Sequence, residues 1–485
     1  MKFYPSLSKN ENFLKERLNS SDVVFFKFKV GSKNGLIVFV DPVTDRETLG
    51  KLVINPLSSY KGKLSAEKIS KRIFSPQAEI LDDLNKAAME VVKGNCLLLL
   101  DGDENSVIIN LLKYSSRAIS EPPTAAVVKG PREGFTENLK TNLGLMRRRI
   151  KSPKLTVKTM QVGRYTKTDV SVVYVSDIAD DDIVSSVIER IKKIDIDGVT
   201  DSSYVAKSIV DHKVSLIKQV GNTEKPDILT AKILEGRVGV LVDGSPIAVT
   251  VPYLLIEDFQ SSEDYFQNHY RANMQRILRF ISIVLALSLP SVFVAAQLFH
   301  LQIIPLNFLL TIVNSIKGIP LSPSFEMFFT LLIFEILNEA SVRMPKYVGM
   351  ALSVVGALVL GDTAVKAGIV STPTIMILAL SGICLYTVPE LVDSMSFLRL
   401  LYLAVAGATG GYGLVLLTCF LFIYLVSLEN FDVPVLAPFA PMKTPDLKDT
   451  FIMTNLTEMK KRPLSIKPKN KTRMKTDEPE RKKQA

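Results

Sequence analysis

Apolar and polar positions are unevenly distributed along this chain. Up to about residue 270 short apolar stretches alternate with charged ones. From Ile277 to Ser427 long apolar runs dominate, and from about Lys460 the chain is polar and basic. The pattern predicts a soluble half, a membrane half and a tail. In the first half, "FKFKVGSKNGLIVFVDPVTDRETLGKLV" reads as strand, turn, strand, then a helix from near Asp45. "KTMQVGRYTKTDVSVVYVSDIADDDIVSSVIERI" reads the same way. β-Branched and aromatic residues build the strands, and Asp-rich turns cap the helices. Further on, "VVKGNCLLLLDGDENSVIINLL" is matched by "ILEGRVGVLVDGSPIAVTVPYLL". Each is a helix end, a glycine, a strand, an Asp-Gly turn and a second strand. Asp101-Gly102 and Asp243-Gly244 are strong hairpin signals. The spacing predicts two similar α/β subdomains, at about 22–115 and 155–255. The alternative is chance similarity between two α/β segments.

Between the copies lies "GPREGFTENLKTNLGLMRRRI", residues 130–150. A glycine turn that opens a helix is a place where phosphate binds. Here Pro131 removes a backbone donor, and no Lys-Ser/Thr pair follows Gly134. Phe135, Leu139, Leu143, Met146 and Ile150 are instead spaced to share one helical face. Arg147, Arg148 and Arg149 fall at the C-terminal end, where cations complement the helix dipole. An amphipathic connecting helix over 135–150 is expected, not a nucleotide site.

A helix needs about 20 apolar residues to cross a bilayer core. Ile277–His300, Ser324–Val342, Thr372–Val388 and Leu398–Ser427 are the candidates. Pro290 is tolerable in such a helix. Ile303–Ile316, interrupted by Pro305 and Asn314, reads as interfacial or re-entrant. Arg271, Arg276 and Arg279 precede the first span, Arg343 and Lys346 follow the second, and the tail is basic. The positive-inside rule therefore places both ends in the cytoplasm, which requires an even number of spans. Four spans leave Tyr347–Val370 re-entrant or lodged inside an assembly.

Within that segment Gly349, Ser353, Gly356, Leu360, Thr363 and Ala367 recur at helical spacing. This stripe of mostly small residues suits close helix packing or a pore lining, and the two are compatible. Asp362 and Lys366, four apart, are placed to pair. In the second candidate span Glu335 and Glu339 share a face, with Arg343 one turn after Glu339. Charges at membrane depth face a bundle interior or water. Either Glu339 pairs with Arg343 while Glu335 sits in a protein interface, or the carboxylates form an ion-attracting ring in an oligomer.

The net charge of +10 would suit nucleic acid. Much of it sits in the tail, however, where a lipid-facing or solvated role is simpler. No nucleic-acid partner is expected. Cys96, Cys384 and Cys419 lack metal-ligand spacing and read as small buried hydrophobes. His212, His269 and His300 are scattered. The N-terminal stretch "MKFYPSLSKNENFLKERL" has no apolar core of the kind a cleaved signal peptide needs. No triad, metal cluster or acid/base pair has supporting context, so no enzyme, cofactor or metal is expected. The expected fold class is α+β/α: two similar α/β cytoplasmic subdomains, then an α-helical transmembrane bundle. Its parts are a polar N-terminal segment (1–21), subdomain 1 (22–129), the connecting helix (130–154), subdomain 2 (155–270), a membrane domain of four to six helical segments (271–430) and a basic tail (431–485).

The segment "GPREGFTENLKTNLGLMRRRI" resembles the hallmark of the A subunit of bacterial spore germinant receptors, the GerA family. The resemblance continues through "GALVLGDTAVKAGIVS" (356–371), "YTVPEL" (386–391) and "VPVLAPFAP" (433–441), and covers about residues 20–450. It implies a protein of the spore inner membrane that works with a transporter-like B subunit and a lipoprotein C subunit. It also implies oligomerisation into a nutrient-gated ion channel whose opening begins germination. The competing readings are a membrane-anchored, germinant-binding or scaffolding subunit without its own pore, and a paralogue that amplifies germination without sensing a nutrient.

Overall fold

In a computed structural model of the chain, residues 1–30, 33–58, 65–73, 78–113, 129–343 and 359–474 are described. Two five-stranded antiparallel sheets organise the first half. Strands β1 (Val23–Val30), β2 (Lys33–Val40), β3 (Ala78–Leu81), β4 (Asn95–Leu100) and β5 (Ser106–Asn110) pair in the order β1-β2-β4-β5-β3. Strands β6 (Leu155–Val162), β7 (Thr168–Val175), β8 (Gly221–Thr223), β9 (Val238–Val242) and β10 (Ala248–Val251) pair in the order β6-β7-β9-β10-β8, the same topology. Gly102 and Gly244 take positive φ in the two Asp-Gly turns, each within a five-residue connection between paired antiparallel strands. The inner strands β4 and β9 are almost wholly buried. They read as continuous apolar runs because helices cover both sheet faces.

On the first sheet, α1 (Leu7–Arg17) and α2 (Leu84–Val92) fill one side, and the helical turns between Leu49 and Ile73 fill the other. On the second, α3 (Leu139–Arg149) and α6 (Pro226–Glu235) cover one side. Helices α4 (Asp181–Lys192) and α5 (Ser202–Ile209) cover the other. Asp83, Asp180 and Asp201 cap α2, α4 and α5 by accepting backbone N–H bonds.

Three segments differ from the sequence expectation. Residues 1–21 are not a detached polar segment: Phe3, Leu14 and Leu18 belong to the first core. The connecting helix starts at Leu139, with Asn138 as its cap, so Phe135 precedes it and lies outside the helix. The C-terminal region is not a free tail up to Met474. Phe431, Val433, Ala437 and Ile466 join the core of the second subdomain. Lys469 donates its backbone N–H to Ile178 O at 2.9 Å.

The remaining helices form an apolar bundle: α7 (His269–Phe299), α8 (Leu306–Ile316), α9 (Pro323–Arg343), α10 (Thr372–Leu385) and α11 (Val392–Ser427). By length and apolarity, α7 and the stretch Pro389–Ser427 are sufficient to cross a membrane. The second is not one rod. Gly410, at φ 66° and ψ −148°, breaks it, and Tyr402 donates to Thr418 at 3.2 Å across the fold. A straight helix would hold those two residues about 24 Å apart. The expected single span Leu398–Ser427 is therefore an antiparallel hairpin. Of the cysteines, Cys96 and Cys384 are buried as expected, whereas Cys419 is exposed on the second limb of the hairpin.

Candidate functional site

Three polar assemblies sit where the parts of the molecule meet. The first joins the two α/β subdomains. Asn142 on α3 bonds both ways with Thr136, at 2.8 and 2.6 Å, and Asp243 of the second Asp-Gly turn accepts from Leu139 N at 3.0 Å. The hallmark segment is thereby pinned to the second sheet. Gly144 brings α3 against the first subdomain: a Cβ there would lie 3.1 Å from Pro42 O. Arg147 then reaches Asp22 through Nε and Nη2, both at 2.7 Å, and Ser20 at 2.8 Å. Both charged side chains are almost wholly buried. Ser20 and Ser21 also bond the outer edge of β6 at Val157 and Thr159. Arg148 and Arg149 pair with Glu133 at 2.7 Å each. All three arginines fall in the last turn of α3 as expected, and Arg147 is in addition an inter-subdomain tie.

A guanidinium offers a planar fork that a lysine ammonium cannot copy. Arg147→Lys is expected to lower stability by about 2 kcal/mol, the scale of one charged hydrogen bond lost in a buried pair. Thermal unfolding of the full chain in detergent measures it. An unchanged Tm would mean that the tie contributes nothing.

The second assembly lies at the foot of α7. Asp264 is fully buried and accepts from Arg276 Nε at 2.9 Å and from Arg279 at 2.9 and 2.6 Å. Arg276 also reaches Asp449 at 2.7 Å, and Tyr265 donates to the same carboxylate at 2.7 Å. Burial pushes the Asp264 carboxyl up, but the two arginines outweigh it and hold it below the usual carboxylate range. Arg276 and Arg279, counted among the sequence's orientation signals, are thus engaged within the protein. The C-terminal segment is tied to the base of α7 through Asp449.

The third assembly connects the second subdomain to the hairpin. Lys218 bridges Asp258 at 2.9 Å and Glu390 at 2.6 Å. Glu390 belongs to the "YTVPEL" motif. Tyr253, with no exposed surface, donates to Asp258 at 2.5 Å. Burial raises Asp258 to about 6, even against Lys218 and Tyr253. Burial alone would lower Lys218, but Asp258 and Glu390 outweigh it and hold it above its ordinary value. At the other end of the hairpin, Tyr424 meets Ser215 at 2.7 Å and accepts from Leu216 N at 3.1 Å. Both ends of the stretch Pro389–Ser427 therefore touch one loop of the α/β half.

Inside the bundle, Arg399 on the first limb of α11 is wholly buried, 3.5 Å from Glu335 on α9 and over the Phe334 ring. None of its nitrogens has a hydrogen-bond acceptor among the described residues. For Glu335 the sequence left open a protein interface or a carboxylate ring; within the chain the residue lies beside this arginine. Glu339 pairs with Arg343 at 2.6 Å and Lys366 with Asp362 at 2.7 Å, both exposed on the bundle surface. Of the small-residue stripe, Gly349, Ser353 and Gly356 lie outside the described residues, and for Leu360 only the backbone is described. Thr363 and Ala367 are exposed. Sequence reasoning missed Arg399, although a lone charge in the run "FLRLLYLAV" was its signal. It also missed Lys218 and Asp258, which carry no local pattern.

Comparison with known proteins places the chain. The family described as Bacillus/Clostridium GerA spore germination protein matches residues 11–465. Spore germination protein KA of Bacillus subtilis (strain 168) is 34% identical over 98% of this chain and 89% of its own length. Spore germination protein GerLA of Bacillus cereus is 30% identical over 90% of each chain. The crystal structure of the N-terminal domain of the A subunit of the Bacillus megaterium spore germinant receptor GerK3 is 30% identical. It covers 53% of this chain and 98% of that one, with a TM-score of 0.41. With the hallmark segment, the "YTVPEL" motif and the membrane-length helices all accounted for along one chain, this protein belongs to the GerA family of spore germination proteins.

Proposed function

We propose that this chain is a germinant receptor A subunit that assembles with copies of itself into a nutrient-gated ion channel of the spore inner membrane. Its α/β half and C-terminal region are cytoplasmic. A transporter-like B subunit and a lipoprotein C subunit are its partners, and membrane lipid surrounds the bundle. The observation that carries this reading is the set of ionised groups on an apolar bundle. Glu335 and Arg399 lie inside it, and the pairs Glu339–Arg343 and Asp362–Lys366 lie on its surface. Hydrocarbon does not tolerate such groups, whereas water or a protein neighbour does. The stripe Gly349–Ala367 is the proposed pore lining. Leu360, the large apolar member of that stripe, is the proposed constriction, since a hydrophobic ring blocks ions by dewetting.

The test is ion flux from the purified chain in liposomes, with and without its partner subunits. Flux that requires nutrient and partners is expected. Leu360→Ala should pass ions without nutrient and give spores that germinate spontaneously, while Val359→Ala behaves as wild type. Normal nutrient dependence in Leu360→Ala at normal abundance would remove Leu360 as the gate. Absence of flux in every reconstitution would favour the scaffolding reading. One observation favours the germinant-binding form of that alternative: an open cleft between the subdomains, lined by Lys15, Ser20, Thr159 and Lys192.

A further inference from the structure

The cluster at Lys218 goes beyond the family reading, because a single ammonium there holds a buried carboxylate of the α/β half and a carboxylate beside the hairpin. Asp258 has 5% of its side chain exposed, and its Oδ2 is taken by the Tyr253 hydroxyl. Its remaining charged contact is Lys218 Nζ, which also holds Glu390. The groups facing it can be named from every element around it. Tyr253 and Glu257 come from the same segment, Lys218 from the preceding loop and Glu390 from the turn that opens the hairpin. Glu257 is balanced separately by Lys232 at 2.9 Å and Arg237 at 3.4 Å. One ammonium therefore serves two carboxylates, one on the α/β half and one on the bundle.

We propose that Asp258 is a proton-binding site whose occupancy sets how firmly the α/β half grips the hairpin through Lys218 and Glu390. The proposal rests on the reading of this junction as the link between the two halves. With Asp258 ionised, Lys218 divides its charge between two carboxylates that repel each other. With Asp258 protonated, the repulsion is gone and Lys218 pairs with Glu390 alone. Protonation tightens the joint, and deprotonation loosens it.

The sign follows from the direction of the shift. Burial lifts the folded-state value from 3.8 to about 6. The protonated form is therefore favoured by folding, its contribution is complete below 3.8, and it is lost as pH rises through about 6. The window for the change is about pH 4 to 6, between those two values. Glu390 is half exposed, so its bond to Lys218 is screened and breakable. A strong buried pair there would not respond.

Hydrogen exchange of the full chain in lipid nanodiscs tests this, with rates corrected for intrinsic pH dependence. Protection of residues 386–392 should fall about tenfold from pH 4 to 7, the effect of one pKa unit between held and released states. The midpoint should lie between about 5 and 6. Asp258→Asn should stay protected across the range. Glu390→Gln alters a half-exposed residue and should leave the fold intact. It should be weakly protected and insensitive to pH. Uniform protection in the wild type, or a wild-type midpoint in either variant, overturns the proposal. If Asp258→Asn does not fold, Glu390→Gln alone decides. Because the readout is local exchange, the outcome stands whether or not the chain conducts ions.

Discussion

Gly410→Val should leave almost no folded chain in the membrane. Gly410 turns the 36-residue stretch back on itself at φ 66° and ψ −148°, a conformation open essentially to glycine alone. The strain on any other residue is about 1–3 kcal/mol. A side chain would also meet the Phe299 ring, since a Cβ there would lie 2.7 Å from it. Overpacking of that kind costs about 1–3 kcal/mol more. Together these come to about 2–6 kcal/mol, enough to unfold a domain at the lower end of the ordinary range of about 5–15 kcal/mol. Immunoblotting of membranes and thermal unfolding in detergent measure the loss. Phe299→Ala in the same chain should relieve the contact but not the backbone strain, so rescue should be partial. Full rescue by Phe299→Ala would show that the backbone conformation at Gly410 is not required.

Glu335→Ala should be the other severe substitution. It leaves Arg399, wholly buried in the bundle, with no counter-charge among the described residues. Breaking one side of a buried pair costs about 3–5 kcal/mol, whereas replacing both partners with apolar residues is often neutral or stabilising. The double variant Glu335→Leu with Arg399→Leu should therefore recover the abundance that Glu335→Ala loses. The pair then separates structure from function. A double-leucine chain that is abundant but fails in nutrient-triggered germination would assign the pair to conduction or gating. A double-leucine chain that germinates normally would make it a structural element alone. Failure to recover abundance would show that the charges themselves hold α9 against α11.

Much of the fold was legible because it depends on short-range pattern. The Asp-Gly turns, the β-branched runs beside them and the helix caps Asp45 and Asp180 require only local backbone geometry and period. Leu139, Leu143 and Met146 of α3, with Phe135 and Ile150 flanking the helix, enter one buried cluster. The pairs Asp362–Lys366 and Glu339–Arg343, one helical turn apart, were readable for the same reason. The hairpin was not. "GATGGYG" signals a bend or tight packing, but composition alone cannot distinguish one long span from two limbs folded together. Residues 1–21 and 431–474 looked like polar ends because their few apolar residues are spaced irregularly. They are buried only because a sheet and two subdomains happen to face them.

By itself the sequence determined the α/β units and their hairpins, the apolar character of the second half, and the family. Each is carried by contiguous motifs, and hydrophobic period and turn chemistry act within a few residues. The tertiary structure decided which charges meet. Asp22 and Arg147 are 125 residues apart, Lys218 and Glu390 are 172 apart, and Asp264, Arg276 and Asp449 converge from three segments. An isolated charge in a sequence carries no mark of its partner. Its energy is set by burial and by the counter-charge brought beside it, and both exist only once the chain has folded.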